Sequence, residues 1–264
     1  MVTKARVLNN GVRTFWWTGK RNFGDLFTPE LVSLYGYTPI ETPIAKAGII
    51  GVGSLIHMIP EDYAGTLLGT GLISDTAVKL ESAKFAAVRG ELTKKKLDID
   101  PHTPTGDLGL LAPKLLSNIP TQKKYVVGLV PHFVDKEHPW IGKIQKELGN
   151  SATVIDVQDS AVKVVEKIAE CEVIVSSSLH GIIVADSLNI PNVWMELSDK
   201  VIGSGFKFWD YNSSIDYEQP SLKIELQTNF SRVESRLSQK KFSIINAKSE
   251  SLHLILEKTL ATVA

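Results

Sequence analysis

Cysteine is nearly absent from this chain of 264 residues, in which Cys171 is the single example. One cysteine excludes an intrachain disulfide and is typical of a protein from a reducing compartment. Because Cys171 directly precedes an apolar stretch, we expect a buried, unreactive thiol rather than a nucleophile. The N-terminal segment lacks the apolar core of a signal peptide, and no run is long enough to span a membrane. The sequence therefore predicts a soluble, cytoplasmic protein.

Net charge is also lacking, because 29 basic residues balance 29 acidic ones. A broad positive field, which nucleic acid or an anionic membrane surface would require, is therefore not expected. Several motifs of enzyme chemistry are missing as well: the P-loop, the HExxH zinc helix, paired Cys and His spacings and the GxSxG elbow. We therefore predict no nucleic-acid partner, no metal site and no α/β-hydrolase triad.

The most informative segment covers residues 173–194. It starts with Val-Ile-Val, which predicts a buried strand, continues with three serines, and then opens an apolar helix at Leu-His-Gly. At the carboxyl end of a strand, beside a helix N-terminus, free N–H groups and the helix dipole favour an anion. The residues expected at this position are Ser176, Ser177, Ser178 and His180. The segment predicts a small anionic ligand with a histidine beside it.

Short apolar runs alternate with helical patterns along the chain, which is typical of an α/β protein. A polar, proline-containing segment at 117–124 reads as a linker before a second α/β set. We predict two doubly wound domains facing a cleft, at 1–118 and 119–215, followed by a tail at 216–264 that contains an amphipathic helix. One continuous sheet is the alternative. The predicted strands cover residues 14–17, 47–52, 65–71, 84–88, 124–131, 153–157, 173–175 and 192–197.

Further candidate residues lie where predicted strands end. His132 follows the strand at 124–131, which places it at the same sheet edge as His180. Small environmental shifts move the charge of a histidine across physiological pH, so His180 is a candidate to donate a proton or hold a phosphate. Arg89 follows the strand at 84–88, and its forked guanidinium suits a carboxylate or a phosphate. A surface position for Arg89 is the alternative.

Two other segments carry groups that suit a sugar or an anion. The loop at 19–25 offers cationic side chains, with Asn22 and Asp25 as candidates to bind hydroxyls. The aromatic segment Lys-Phe-Trp-Asp-Tyr at 207–211, expected in a loop, offers rings for a sugar face and Asp210 for its hydroxyls. An exposed helix cap at Asp25 and ordinary interdomain packing at 207–211 are the alternatives.

Five motifs occur in the order found in the polysaccharide pyruvyl transferases. They are Asn-Phe-Gly-Asp (22–25), Gly-Val-Gly-Ser (51–54), Arg-Gly-Glu-Leu-Thr (89–93), Gly-Asp-Leu-Gly-Leu-Leu (106–111) and the segment from Ser-Ser-Leu-His-Gly to proline (177–191). With Val-Pro-His at 130–132 and Lys-Phe-x-Asp-Tyr at 207–211, the chain most resembles the succinoglycan-type ketalases, over about residues 15–211. The resemblance implies a GT-B-like fold of two Rossmann-type domains. It also implies transfer of a pyruvyl group from phosphoenolpyruvate to a sugar, as a ketal, without a metal or organic cofactor.

The resemblance assigns roles to individual residues. Several family members carry Arg-Leu-His in the phosphoenolpyruvate site, where this chain has Ser178, Leu179 and His180. His180 is the expected proton donor, and Arg89 is expected to supply the missing cation. The residues expected to orient the acceptor are Asn22, Asp25 and Asp210. The other predicted substrate-binding residues are Ser177, Ser178, Leu179, His132 and Lys207. The acceptor is assigned to the domain at 1–118 and phosphoenolpyruvate to the domain at 119–215.

Two other functions stay open from the sequence. A nucleotide-sugar glycosyltransferase of GT-B type needs an acidic residue for the ribose, and Glu196 at a strand end suits that role. The second alternative is a non-catalytic, glycan-binding relative. It is favoured by Ser178, which stands where several family members have arginine. In the main interpretation the partners are phosphoenolpyruvate and a sugar or lipid-linked acceptor, with peripheral association at the inner face of the membrane. The sequence leaves the acceptor sugar and the oligomeric state open.

Overall fold

The computed structural model, which describes residues 10–264, contains two five-stranded parallel sheets that follow one another along the chain. The first sheet contains β1 (Gly11–Phe15), β2 (Thr38–Glu41), β3 (Ile49–Ile50), β4 (Thr66–Leu68) and β5 (Lys84–Ala87). The second contains β6 (Tyr125–Val130), β7 (Ala152–Val154), β8 (Cys171–Ser176), β9 (Asn192–Glu196) and β10 (Leu222–Lys223). The predicted α/β class with two Rossmann-type units is confirmed. The start of the predicted domain 1–118, at residues 1–9, lies outside the described residues.

The strands of the two sheets run in the same spatial order. The first sheet is β2-β1-β3-β4-β5, and the second, read from its β7 edge, is β7-β6-β8-β9-β10. This is a doubly wound order. The direction of winding changes between β1 and β3 in the first sheet and between β6 and β8 in the second. Ligands of such sheets bind outside the carboxyl ends of those strands. The binding edges are therefore the segments that follow β1 and β3 in one sheet and β6 and β8 in the other.

Helices connect the strands and cover the sheets. They are α1 (Phe27–Leu34), α2 (Glu91–Leu97), α3 (Pro139–Leu148), α4 (Ala161–Ala169), α5 (Leu179–Ser187), α6 (Phe206–Ser214), α7 (Phe230–Glu234) and α8 (Phe242–Val263), with a long 3₁₀ helix at Leu108–Leu115. Residues 179–186 of α5 are all buried, as expected for a helix that is apolar on every side. It ends where Asn189 takes a φ of 56° and Pro191 follows. Within residues 10–264, no helix is long and apolar enough to cross a membrane.

One apolar cluster joins the two halves of the chain. It includes Val12 and Phe27 from the first half, Ile183 from the second and Leu256 of α8. Helix α8 packs against the 3₁₀ helix, β5 and α5, so the end of the chain covers both halves. Burial of this shared surface stabilises one sheet against the other. Cys171 is buried at the start of β8, where burial raises the pKa of its thiol to about 12, as expected for an unreactive cysteine.

Helix α6 lies where the sequence predicts a loop. It follows Gly203, Ser204 and Gly205, whose positive φ angles of 96°, 46° and 79° reverse the chain. Asp210 on this helix accepts hydrogen bonds from Thr93 and from Arg89 of the first half, so long-range contacts hold it in place. Strand β10, in the segment assigned to the tail, was not expected either, and neither were β2 and α7. These three elements have two, four and five residues, too few to show a period.

A buried polar network ties the segment before α8 to α5. The ammonium of Lys240 donates to both carboxylate oxygens of Asp186, at 2.9 and 2.7 Å. The side chains of Tyr211 and Asn192 donate to the same carboxylate at 2.8 and 2.7 Å. Burial lowers the pKa of Lys240, and the carboxylate of Asp186 opposes that shift. The network therefore joins α5, α6 and β9 through one buried charge pair.

Lys240→Met should destabilise the fold, because it leaves the carboxylate of Asp186 buried with neutral donors alone. We expect the free energy of unfolding, measured by urea denaturation at neutral pH, to fall by about 3 kcal/mol. The matched control is Lys241→Met at the exposed neighbouring position, which should change it by less than about 0.5 kcal/mol. Equal stability of the two variants would contradict the proposed importance of the network.

Candidate active site

The turn between β8 and α5 is shaped by Ser176. Its hydroxyl lies 2.9 Å from the carbonyl of Val130 and accepts a hydrogen bond from the amide of Ser178 at 3.0 Å. Gly181 packs directly against this hydroxyl, where a Cβ atom would collide with it. The first-turn amides of α5 have no acceptor within the helix, and the side chain of Ser178 caps none of them. The start of α5 therefore presents N–H groups at the sheet edge, a position that favours an anion.

His132 and Ser177 meet at the carboxyl ends of β6 and β8. The amide of His132 donates to the hydroxyl of Ser177 at 2.8 Å. Burial of the His132 ring and the nearby charge of Lys207 lower its pKa from 6.5 to about 4. The ring is therefore neutral at neutral pH, so it offers a hydrogen bond to a ligand but no positive charge.

His180 lies between the two halves of the chain and is 8% exposed. The rings of Phe23 and Phe27 pack around it, with centroids 6.2 and 6.3 Å away. The backbone of Gly24 lies against the imidazole, where a Cβ atom would collide with Nδ1. Nε2 is 3.7 Å from Oδ2 of Asp107, beyond hydrogen-bond distance, and in the described part of the chain neither atom has a hydrogen-bond partner. Because buried polar atoms are normally hydrogen-bonded, this gap calls for an explanation, and a catalytic role is one.

Lys207 completes a group of titratable side chains that we call the edge cluster: Asp25, His132, His180 and Lys207. The Lys207 side chain is buried, and its ammonium lies 5.8 Å from the centroid of the Phe208 ring. Burial and the charge of Arg89 lower its pKa from 10.5 to about 8, although Asp25 opposes the shift. Nowhere in residues 10–264 does the ammonium find a hydrogen-bond acceptor. It is a buried positive charge that remains available to an anion.

Asp25 lies close to two members of the edge cluster, His180 and Lys207. Burial raises the pKa of its carboxyl from 3.8 to about 6, against the charges of His180 and Lys207, which lower it. A carboxyl group with this pKa can bind and release a proton near neutral pH. Among the described residues, no three or more His, Cys, Asp or Glu side chains are grouped so as to hold a metal ion.

Arg89 and Asp210 bind each other in the interior instead of presenting free groups to a ligand. Both side chains are fully buried, and Nε of Arg89 donates to Oδ2 of Asp210 at 2.8 Å. The other two guanidinium nitrogens donate to the hydroxyl of Ser54 and the carbonyl of Leu72. The carboxylate of Asp210 also accepts from the amide and the hydroxyl of Thr93, both at 2.7 Å. Their hydrogen-bonding groups are engaged within the protein, so we assign them a positioning role.

The loop that follows β1 adds a second cation near the edge cluster. The ammonium of Lys20 lies 5.7 Å from the centroid of the Phe133 ring, which itself lies 4.3 Å from the ring of His132. Asn22 shapes this loop, because its side-chain oxygen accepts from the amide of Gly24 at 3.1 Å. The predicted contact of Asn22 with an acceptor sugar stays a prediction.

The structure thus brings together the predicted residues Asp25, His132, His180 and Lys207, with Ser177 and Ser178 at their border. Leu179 is buried, so its side chain has no polar role and its amide alone can meet a ligand. Asp107 was not predicted, although it lies in the motif at 106–111. It caps the 3₁₀ helix by accepting from the amide of Gly109 at 2.8 Å. The motif drew attention to this segment, but no sequence signal places Asp107 opposite His180.

These features define a class: an α/β protein of two doubly wound units with a cluster of titratable side chains where their strands end. The chain belongs to the polysaccharide pyruvyl transferase family, whose sequence model matches residues 11–199. The family membership predicted from the five motifs is therefore confirmed.

Relatives of the chain include two curated proteins. An uncharacterised protein of Acanthamoeba polyphaga mimivirus is 33% identical over 166 residues, which are 60% of this chain and 57% of that protein. The succinoglycan biosynthesis protein ExoV of Rhizobium meliloti (strain 1021) is 25% identical over 226 residues, 81% of this chain and 68% of that protein. The chain thus spans little more than half of the first relative. Among solved structures, the wall teichoic acid polymerase TagF matches with a TM-score of 0.45 and 11% identity, covering 96% of this chain and 90% of that chain.

Lys207→Met should make the protein more stable at neutral pH. The folded-state pKa of Lys207 is about 8, below its ordinary 10.5, so the protonated lysine weakens the fold at every pH below about 8. Methionine has a similar shape and no charge. We expect the free energy of unfolding at neutral pH to rise by about 3 kcal/mol, the equivalent of the net shift from 10.5 to about 8, which already includes the attraction to Asp25. Lys200→Met, at an exposed position, is the control. A Lys207 variant less stable than the parent would contradict the claim that the buried charge of Lys207 weakens the fold.

Asp25→Asn should change stability in a pH-dependent way. Folding raises the pKa of Asp25 from 3.8 to about 6. Between these two pH values the native protein therefore holds a proton that the unfolded chain has released. The parent protein therefore loses stability as the pH rises through this window, and the asparagine variant does not. The difference in unfolding free energy, variant minus parent, should grow by about 3 kcal/mol between about pH 4 and pH 7 in urea titrations. The exposed Asp62→Asn should show a flat difference, and a flat result for Asp25 would refute the shift.

Proposed function

We propose that the protein transfers a pyruvyl group from phosphoenolpyruvate to two hydroxyls of a sugar in a surface or exported glycan, forming a ketal. The observation that carries this proposal is the buried side chain of Lys207, whose charge acts on Asp25 and His132, two other members of the edge cluster. A buried charge without a hydrogen-bonded counterion is costly, and such groups cluster at functional sites. Family membership and the similarity to ExoV support a pyruvyl group as the cargo and a glycan as its acceptor.

The donor has two anionic groups, a phosphate and a carboxylate. Lys207 supplies positive charge, and the amides at the start of α5 supply directed hydrogen bonds, with the hydroxyl of Ser178 beside them. In this role Lys207 takes the place of the arginine that the family resemblance implies at Ser178. Arg89 does not, because each of its guanidinium nitrogens already has a partner in the protein.

The reaction begins with a proton transferred to the methylene carbon of phosphoenolpyruvate. Protonation creates an oxocarbenium-like carbon, which a sugar hydroxyl attacks; phosphate then leaves, and a second hydroxyl closes the ketal. His180 donates the proton, and its Nε2 faces the carboxylate of Asp107 at 3.7 Å. Asp25 takes up the proton of the attacking hydroxyl, because a carboxyl with a pKa of about 6 is largely ionised at neutral pH.

This scheme uses no metal ion and no organic cofactor. The acceptor is a sugar or a lipid-linked precursor at the inner face of the membrane, which the protein reaches from the cytoplasm.

The reaction is tested with phosphoenolpyruvate and a panel of nitrophenyl glycosides and lipid-linked sugars. We expect phosphate release that depends on the acceptor, together with an acceptor mass increased by one pyruvyl ketal. Transfer from a UDP-sugar, with no turnover of phosphoenolpyruvate, would contradict the proposal and favour a glycosyltransferase.

His180→Ala should abolish turnover while the fold is retained, as judged by circular dichroism and urea unfolding. Loss of a general acid is expected to lower kcat by at least about a hundredfold. His102→Ala, at an exposed position far along the chain from the edge cluster, is the matched control and should keep the parental rate. A His180 variant with near-parental kcat would remove this residue from the mechanism.

A further inference from the structure

A cavity of about 560 Å³ adjoins the edge cluster on the side of the second sheet. Residues at the ends of β9 and β10 form one side of it, and the loop at 198–205 forms another. Ser177 and Phe208 also line it. Ser177 accepts a hydrogen bond from the amide of His132, and Phe208 follows Lys207 on α6. The cavity therefore borders the edge at which the donor is proposed to bind, and its volume suits a small ligand.

The walls of the cavity are acidic and aromatic. Its charged residues are Glu196, Asp199, Lys223 and Glu225, three carboxylates against one ammonium. The rings of Trp194 and Phe208 stack with centroids 4.3 Å apart and planes within 7°, which gives one apolar wall. Carboxylates beside an aromatic wall accept hydrogen bonds from hydroxyls and repel anions. The lining therefore fits a neutral, hydroxyl-rich ligand.

Helix α6 also begins at the cavity, and two of the three amides of its first turn are already bonded there. The amide of Phe206 donates to the carbonyl of Gly203 at 2.9 Å, and the amide of Phe208 donates to the carbonyl of Gly205 at 2.9 Å. Amides that are already bonded within their own loop cannot receive an anion. The first amides of α5 are not bonded in this way. The start of α5 therefore suits an anionic ligand, whereas the cavity beside α6 suits a neutral one.

The loop at 198–205 is held over the cavity by contact with the first half of the chain. Gly203 has a φ of 96°, and a Cβ atom there would collide with the carbonyl of Ile73. Gly205 has a φ of 79°, and a Cβ atom there would lie 2.8 Å from the ring of Trp194. A side chain at Gly203 would therefore push the loop away from Ile73 and alter the cavity beneath it.

We propose that this cavity is the acceptor subsite, and that it binds a neutral sugar residue through its hydroxyls. The carboxylate of Glu196 is the main acceptor of those hydrogen bonds, since it is half-buried and, within residues 10–264, has no hydrogen-bond partner. The role of the bound sugar as the pyruvyl acceptor rests on the proposed function. The assignment moves acceptor recognition from the segment at 1–118, where the sequence placed it, to the second half of the chain.

The test measures binding of neutral nitrophenyl hexosides and disaccharides by ligand-observed NMR, in the absence of phosphoenolpyruvate. Saturable binding is expected for at least one member, and Glu196→Ala should weaken it by about tenfold, the loss expected for hydrogen bonds to a charged group. Gly203→Ala should weaken it too, through displacement of the loop. Glu172→Ala is the matched control, because Glu172 is exposed on the neighbouring strand β8, near the opposite end from the cavity.

Three results would overturn the inference. They are unchanged affinity in both cavity variants, displacement of the bound glycoside by UDP, and absence of saturable binding across the panel. Displacement by UDP would instead identify the cavity as a nucleotide site. Phosphate release from phosphoenolpyruvate is measured separately on the same preparations. If that release fails while glycosides bind in a Glu196-dependent way, the proposed reaction is contradicted and the sugar site stands.

Discussion

The buried ion pair between Arg89 and Asp210 is the contact on which the geometry of the site depends. Both side chains are fully buried, so loss of either partner would leave an uncompensated charge in the interior, at a cost of about 3–5 kcal/mol. Arg89 follows β5 of the first sheet and Asp210 lies on α6, so the pair joins the two halves of the chain. Lys207 lies one turn earlier on α6, and its position follows from the same contact. The guanidinium also lowers the pKa of Lys207, so one interaction both places and tunes this ammonium.

A second buried group fixes the two helices that carry His180 and Lys207. His180 lies near the start of α5 and Asp186 near its end, where the hydroxyl of Tyr211 from α6 donates to the carboxylate. Lys240 neutralises that carboxylate by donating to both of its oxygens. The hydrogen-bonding groups at this end are satisfied, whereas Nε2 of His180 at the sheet edge is not. The chain therefore separates the polar contacts that stabilise the helices from those left open at the site.

The fold and half of the site follow from local sequence patterns, and the remainder depends on long-range packing. Alternating apolar runs predict parallel strands, and parallel strands end at one edge, so His132 and Ser177 are expected together although 45 residues separate them. Arg89 has the same local sequence whether it faces a ligand or a buried carboxylate. Its partner Asp210 lies 121 residues away, in a segment whose pattern predicts a loop. The gap between His180 and Asp107 likewise depends on how the 3₁₀ helix packs against α5, which no local pattern records.

A lysine at this site behaves differently from the arginine that the family resemblance implies at Ser178. Arginine stays protonated in any protein environment, whereas the charge of a buried lysine responds to its neighbours. With a pKa of about 8, Lys207 is protonated at neutral pH at the expense of stability. A bound dianion would raise that pKa and offset the desolvation cost, so ligand binding and proton uptake are coupled at slightly alkaline pH. Under the proposed function, the instability of the free protein and its affinity for an anion have the same origin, and a substitution that relieves the instability also removes the affinity.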